Sequence, residues 1–284
     1  MRHSTTFLMS LIVASILVLM FLNLVLGSVS IPLKSVWNII CGLGDEPVTW
    51  QNIVWKSRLP QALTALVAGA GLAISGLQMQ TVFRNPLAGP SVLGISSGAS
   101  MGVAFVVLLS GSLGGVALSK LGFMGEIALS IAAVIGSLSV MALIVYVSQK
   151  VKGNVTLLII GVMIGYVANA VIGVLKFFSV EEDIRAYVIW GLGSFSRVSG
   201  NQMMLFVAIM AILIPLSFLL IKTLNLMLLG DGYARNLGLN IKRARLLVIT
   251  SAGVLTAIVT AYCGPVIFLG LAVPCLLYTS PSPR

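Results

Sequence analysis

This 284-residue chain carries very little charge: Asp, Glu, Lys and Arg together make up 8% of it. A water-soluble domain carries about 25%, and a globule of this length still needs a polar surface. With 58% hydrophobic residues, the chain reads as an integral membrane protein. Histidine is nearly absent, with His3 standing alone at the N-terminus. The three cysteines, Cys41, Cys263 and Cys275, form no Cys-x-x-Cys pair and read as small hydrophobes. A zinc or iron centre needs clustered His, Cys or carboxylates, so no protein-built metal site is expected. No Gly-x-x-x-x-Gly-Lys-Ser/Thr loop occurs, so any ATP that drives this protein binds to another one. The 17 Lys and Arg outnumber 7 acids, but they fall in short clusters between apolar runs. That suits loops beside a membrane and argues against a nucleic-acid face.

In place of charge the chain has long apolar runs. Seven stretches approach the roughly 20 residues a helix needs to cross a bilayer: 7–29, 60–80, 92–110, 126–147, 156–178, 202–222 and 246–263. An eighth run begins at Pro265 and ends near Tyr278, short of a full crossing. The pattern predicts an all-α, polytopic helical bundle, one membrane domain with loops and no linker. The first run exceeds the apolar core of a signal peptide and more spans follow it, so it counts as a span. A cytoplasmic N-terminus puts nine Lys/Arg inside and seven outside, with Arg284 uncounted. It also puts both dense clusters, Lys150/Lys152 and Lys242/Arg243/Arg245, inside, which decides the orientation. No Asp, Glu, Lys or Arg lies near the middle of any span. Ion-coupled carriers commonly need one there, so a stand-alone secondary transporter or channel is the weaker alternative.

Small residues are patterned too. In "RNPLAGPSVLGISSGAS", Asn85-Pro86 and Gly89-Pro90 mark a tight turn. Beyond it Gly94, Gly98 and Gly102 recur every four residues, flanked by Ser97 and Ser100, which predicts one small helix face. A second ladder runs Gly161, Gly165, Asn169, Gly173. Such faces either seat another helix or leave open volume where helices part, and spacing does not choose between them. Asn169, near mid-membrane, bonds a neighbouring helix or meets a solute. In the loop 225–245, Asp231 is expected to cap a short helix and Gly238 to end it in the left-handed conformation. That helix would offer Tyr233, Ala234 and Leu237 to a partner. Lys242, Arg243 and Arg245 suit lipid headgroups.

Three ordered blocks carry a resemblance. Arg58-Leu-Pro followed by "ALTALVAGAGLAISGLQMQTVFRNPLAGPSVLGISSGASMG", then "LGDGYARNLGLNIKRAR", then "AYCGPVIFLGLAVP", resemble the FecCD family. These are membrane permeases of iron-siderophore, haem and cobalamin ABC importers. The resemblance implies ten helices per subunit and a solute path between two permease subunits, most simply a homodimer, in the bacterial cytoplasmic membrane. It implies ABC ATPase subunits on the inside, which bind the ATP, and an extracytoplasmic substrate-binding protein outside. The chain itself would be no enzyme and hold no cofactor. Gly94, Ser97, Gly98, Ser100, Gly102 and Asn169 would line the path or the dimer seam. Asp231, Gly232, Tyr233, Ala234, Arg235, Leu237 and Gly238 would couple to the ATPase. Arg58 matches a family position that docks the binding protein; Gln61 stands at the second such position, with Lys56 nearby.

The family pattern is followed to Pro274. There the family continues with a histidine and a basic residue, whereas this chain has Cys275 and then "LLYTSPSPR". The expectation is therefore a permease domain over 1–274, with seven complete helices and a partial eighth, and a non-native tail over 275–284.

Overall fold

The computed structural model describes residues 2–43, 46–112, 123–151, 153–198 and 200–279. Lys120, Lys152 and residues 280–284 of the expected tail lie outside the described residues. The chain divides into two compact units, Met1–Leu66 with Phe195–Leu205 and Val67–Ser194 with Phe206–Arg284.

Along the chain the α-helices are α1 (Arg2–Val25), α2 (Leu33–Cys41), α3 (Val48–Ile53), α4 (Leu59–Phe83), α5 (Ile95–Ser112), α6 (Phe123–Lys150) and α7 (Asn154–Phe177). They continue as α8 (Glu181–Gly191), α9 (Gly200–Phe218), α10 (Ile221–Leu228), α11 (Asp231–Asn236), α12 (Ile241–Cys263) and α13 (Leu269–Thr279). Five helical runs among the described residues are long and apolar enough to cross a membrane: Val48–Phe83, Met124–Lys150, Val155–Phe177, Gly200–Phe218 and Ile241–Cys263. Two shorter apolar helices, Met9–Val25 and Ile95–Leu109, fill the remaining places. All seven expected spans are thus helical. The second starts earlier than hydropathy suggested, because α3 continues through a π-helical turn, Val54–Arg58, straight into α4. The eighth run is helical over α13, with Pro274 inside it.

In the first unit a small apolar core gathers Leu24, Ile31, Val36, Ile39 and Val54. In the second, α12 is the most enclosed span. Val248, Ile249 and Ala252 of α12 are fully buried against Met79 and Val82 of α4, Ile95 of α5 and Ile144 of α6. Polar links tie α12 to α4. Ser75 Oγ lies 2.9 Å from the Ala252 carbonyl and 2.7 Å from Thr256 Oγ1, and Gln78 Nε2 donates to Ser251 Oγ at 3.1 Å. Helices in lipid gain little from burying apolar surface against each other, so such bonds and close packing hold them together.

Loops expected on one membrane side do meet within this unit. The turn at Arg84 touches the loop at Asp231, and Ser194 N–H donates to the Cys263 carbonyl at 2.7 Å. Both contacts fit the alternation of spans.

Candidate functional site

The turn that opens the site is held from within. Gln80 Nε2 donates to the Pro86 carbonyl at 2.7 Å, and Leu87 N–H donates to Asn85 Oδ1 at 2.9 Å. A short 3-10 helix, Pro90–Leu93, follows, and Gly94 ends it with φ +75°. This revises the expected ladder. Gly94 is not a regular helical residue on the face of Gly98 and Gly102; it is the left-handed hinge before α5, a conformation that costs a residue with a Cβ about 1–2 kcal/mol. A Cβ there would also lie 3.0 Å from the Gly161 carbonyl oxygen. Gly94 therefore looks toward α7, whereas Gly98 and Gly102 look toward α6. A Cβ on Gly98 would sit 2.6 Å from the Gly136 carbonyl oxygen, and one on Gly102 would strike the Ala132 carbonyl. Gly98, Gly102 and Gly136 make a backbone-to-backbone seam inside this chain.

The α7 ladder behaves differently. At Gly161 a Cβ would lie 2.8 Å from Leu93 Cα; at Gly165 the nearest atom is Ser97 Oγ at 3.4 Å; at Gly173 nothing lies within 4 Å. The face goes from closed to open along the helix. Beside it a cleft of about 290 Å³ brings together Gly94 and Ser97 of the first ladder with Gly161, Gly165 and Asn169 of the second, and adds Ser96 and Tyr166 to its lining. Asn169 and Tyr166 are exposed and Ser96 is buried. The cleft's lining offers hydroxyls, an amide and backbone, and no formal charge. Ser100 lies apart from it, hydrogen-bonded to Tyr187 of α8. Burial pushes that phenol above its ordinary value of 10, and the Ser100 bond opposes the rise.

The loop before α12 forms the second part of the site. Gly230 precedes α11, and Asp231 is its first residue, not its cap. The Asp231 carboxylate instead pairs with Arg84 and lies 3.8 Å from Arg245. At the other end Gly238, φ +86°, donates to the Arg235 carbonyl at 2.9 Å, and Leu239 N–H donates to that of Ala234 at 2.9 Å. This pair of bonds is a Schellman stop, and it satisfies carbonyls the helix end would leave bare. Ala234 is 0% exposed, whereas Tyr233 is 72% and Leu237 is 61% exposed. Ala234 is therefore not offered to a partner as expected; it anchors the helix, and Gly232, Tyr233, Arg235 and Leu237 make the outer face.

Arg58, at the position the resemblance assigns to docking, is 5% exposed. Its guanidinium donates to the Leu24 carbonyl at 2.6 Å and the Val25 carbonyl at 2.8 Å, and also bonds the Val29 carbonyl. A cation on the last carbonyls of α1 offsets the negative end of that helix. The π turn of Val54–Arg58 carries the side chain inward, and Lys56 stays exposed on the same turn while Gln61 is half-buried. The reading from sequence also passed over Arg84 as a site residue. Its signal was a lone cation directly after a long uncharged run.

A family model described as the FecCD transport family matches residues 15–281. The chain belongs to that family. The match runs past Pro274 into the segment expected to be a tail. The chain is 33% identical over 254 residues to the hemin transport system permease protein HmuU of Yersinia pestis, covering 89% of this chain and 72% of that one. It is 36% identical over 230 residues to the vitamin B12 import system permease protein BtuC of Photorhabdus laumondii, covering 81% and 65%. It thus spans between 65% and 72% of the length of these two curated relatives. A solved structure of a metal-chelate type ABC transporter in an inward-facing conformation superposes with a TM-score of 0.76 at 27% identity, covering 92% of this chain and 77% of that one. Membership makes this FecCD chain a multi-pass transport permease, not an enzyme.

Proposed function

We propose that this FecCD chain serves as the permease subunit of a binding-protein-dependent ABC importer in a bacterial cytoplasmic membrane. Its substrate class is a metal chelate, haem or cobalamin, carried as a ready-made complex. The observation that carries this reading is the similarity, over most of the chain, to permeases of haem and vitamin B12 import. Geometry supports it in two places. The charge-free cleft of Ser97, Gly165 and Asn169 suits a bulky solute that brings its own metal ligands. The exposed face of α11 suits a soluble subunit docking at the membrane surface.

In this proposal the N-terminus is cytoplasmic, so Arg84 and α11 face the ATPase. The α7 face from Asn169 to Gly173 meets a second permease copy across the path. Of Lys56, Arg58 and Gln61, Lys56 is the exposed cation offered to the binding protein. Lys242 and Arg243, both exposed, meet lipid headgroups. ATP is bound and hydrolysed by the partner.

Reconstitution tests it. The full-length permease is placed in vesicles with its ATPase and binding protein, and uptake of haemin, cyanocobalamin and a ferric hydroxamate is measured. Uptake of one of them that needs ATP, the ATPase and the binding protein is expected. Uptake by the permease alone would establish the stand-alone transporter instead.

A further inference from the structure

Arg84 is the one non-glycine residue with positive φ (+49°) among the described residues. Asn, Asp and Gly adopt that region readily, and an arginine there is uncommon. Something must hold it. Its guanidinium pairs with Asp231 and reaches the Met227 carbonyl at 3.4 Å. One arginine therefore touches both α11, through its first residue, and the end of α10, through its carbonyl. Arg245, in the second turn of α12, adds a second cation 3.8 Å from the same carboxylate.

Both elements joined by this pair are held by further contacts. The Arg84 turn is braced by Gln80 on Pro86 and by Asn85 on Leu87. It runs through Ala88, 1% exposed, into the 3-10 helix that ends at Gly94 in the cleft. Helix α11 is closed behind by the Schellman stop and pinned by Ala234. Six residues is too short for a helix to hold its own geometry in water, so its position depends on these contacts.

We propose that Arg84 is a positioning residue: through Asp231 it latches α11 to the α4–α5 turn, so that the two move as one body. This rests on the reading of α11 as the ATPase-facing helix. The physical consequence is a short, hydrogen-bonded route from the outer face of α11 to Gly94 at the closed end of the cleft. A half-exposed ion pair adds little to stability; its value here is geometric, because it fixes which turn α11 follows.

The test is a distance. In the full-length permease bound to its ATPase, with Cys41→Ser to remove an exposed thiol, spin labels are attached at Leu87→Cys and Asn236→Cys. Both positions are exposed. One narrow distance, unchanged between nucleotide-free and ATP-bound states, is expected. Arg84→Gln should lose it and show a broad or second population in ATP; Arg84→Lys should restore it. The double variant of Arg84→Gln with Asp231→Asn should be no broader than Asp231→Asn alone, which loses Arg245 as well, since Arg84 acts through that carboxylate. A narrow, unchanged distance in Arg84→Gln would overturn the latch, as would additive broadening in the double variant. A separate arm checks the reading beneath it. If Tyr233→Ala with Leu237→Ala leaves ATPase capture intact, α11 is not the docking helix, whatever the distances show.

Discussion

Two glycine ladders in this chain share a four-residue spacing and have opposite fates. Gly98 and Gly102 close against Gly136 and Ala132 of α6, backbone to backbone. Gly161, Gly165, Asn169 and Gly173 start closed against Leu93 and end facing open space. Spacing says only that small residues share a helix face. What the face meets is a tertiary matter. In membranes a smooth small-residue groove is equally good for seating a backbone and for leaving room. Two further glycines are fixed by dihedral angle, not by neighbours alone: Gly94 by both, and Gly238 by φ +86° with nothing within 4 Å.

Substitutions can separate these reasons, and the seam should suffer most. Gly136→Leu would drive a side chain into Gly98 and Gly102, overpacking with no flexible neighbour to yield; a loss of about 3 kcal/mol or more is expected. Falling yield of monodisperse protein and a lowered melting temperature would show it, and a wild-type melt would mean the seam is looser than described. Gly94→Ala comes next, since it meets both a left-handed angle and the Gly161 carbonyl. About 2 kcal/mol is expected, read by the same melt, with Gly161→Ala expected to cost comparably through its clash with Leu93. Gly238 has space but not freedom of angle. Gly238→Val should cost about 1–2 kcal/mol locally and Gly238→Asn less, because Asn visits that region. The readout is ATPase co-purification, and equal recovery with both variants would remove the role of the left-handed stop. The smallest structural effect is expected at Gly173→Leu, which should leave the melt unchanged. Any effect it has should fall on uptake.

The spans were legible because hydropathy is additive and local: each of the seven apolar runs is helical, most ends are displaced by a few residues, and only the second runs well back, to Val48. The left-handed Gly238 was legible for the same reason, as glycine after a short amphipathic turn is a local signal. Arg58 was not. From sequence it is a cation at a helix start, and nothing local says that a π turn will carry it under the end of α1. Ala234 and Asp231 were misplaced within an element correctly foreseen, because a six-residue helix can present any face. The pairing of Arg84 with Asp231 spans 147 positions, and no pattern within either segment announces it. In the site, then, residue types were readable and partners were not.

The proposed transport role requires the α7 face to be open to solute while the α5–α6 seam is closed. Cysteine labelling in the reconstituted full-length importer tests this most directly. Asn169→Cys and Ala133→Cys, the latter at a position 0% exposed on α6, are treated with a membrane-impermeant maleimide, with labelling counted above that of the native cysteines. Asn169→Cys should react, lose reactivity when the transported chelate is present, and lose uptake once labelled, while Ala133→Cys stays unlabelled. Asn169→Cys as protected as Ala133→Cys, or labelled with uptake intact, would contradict an α7 face open to solute.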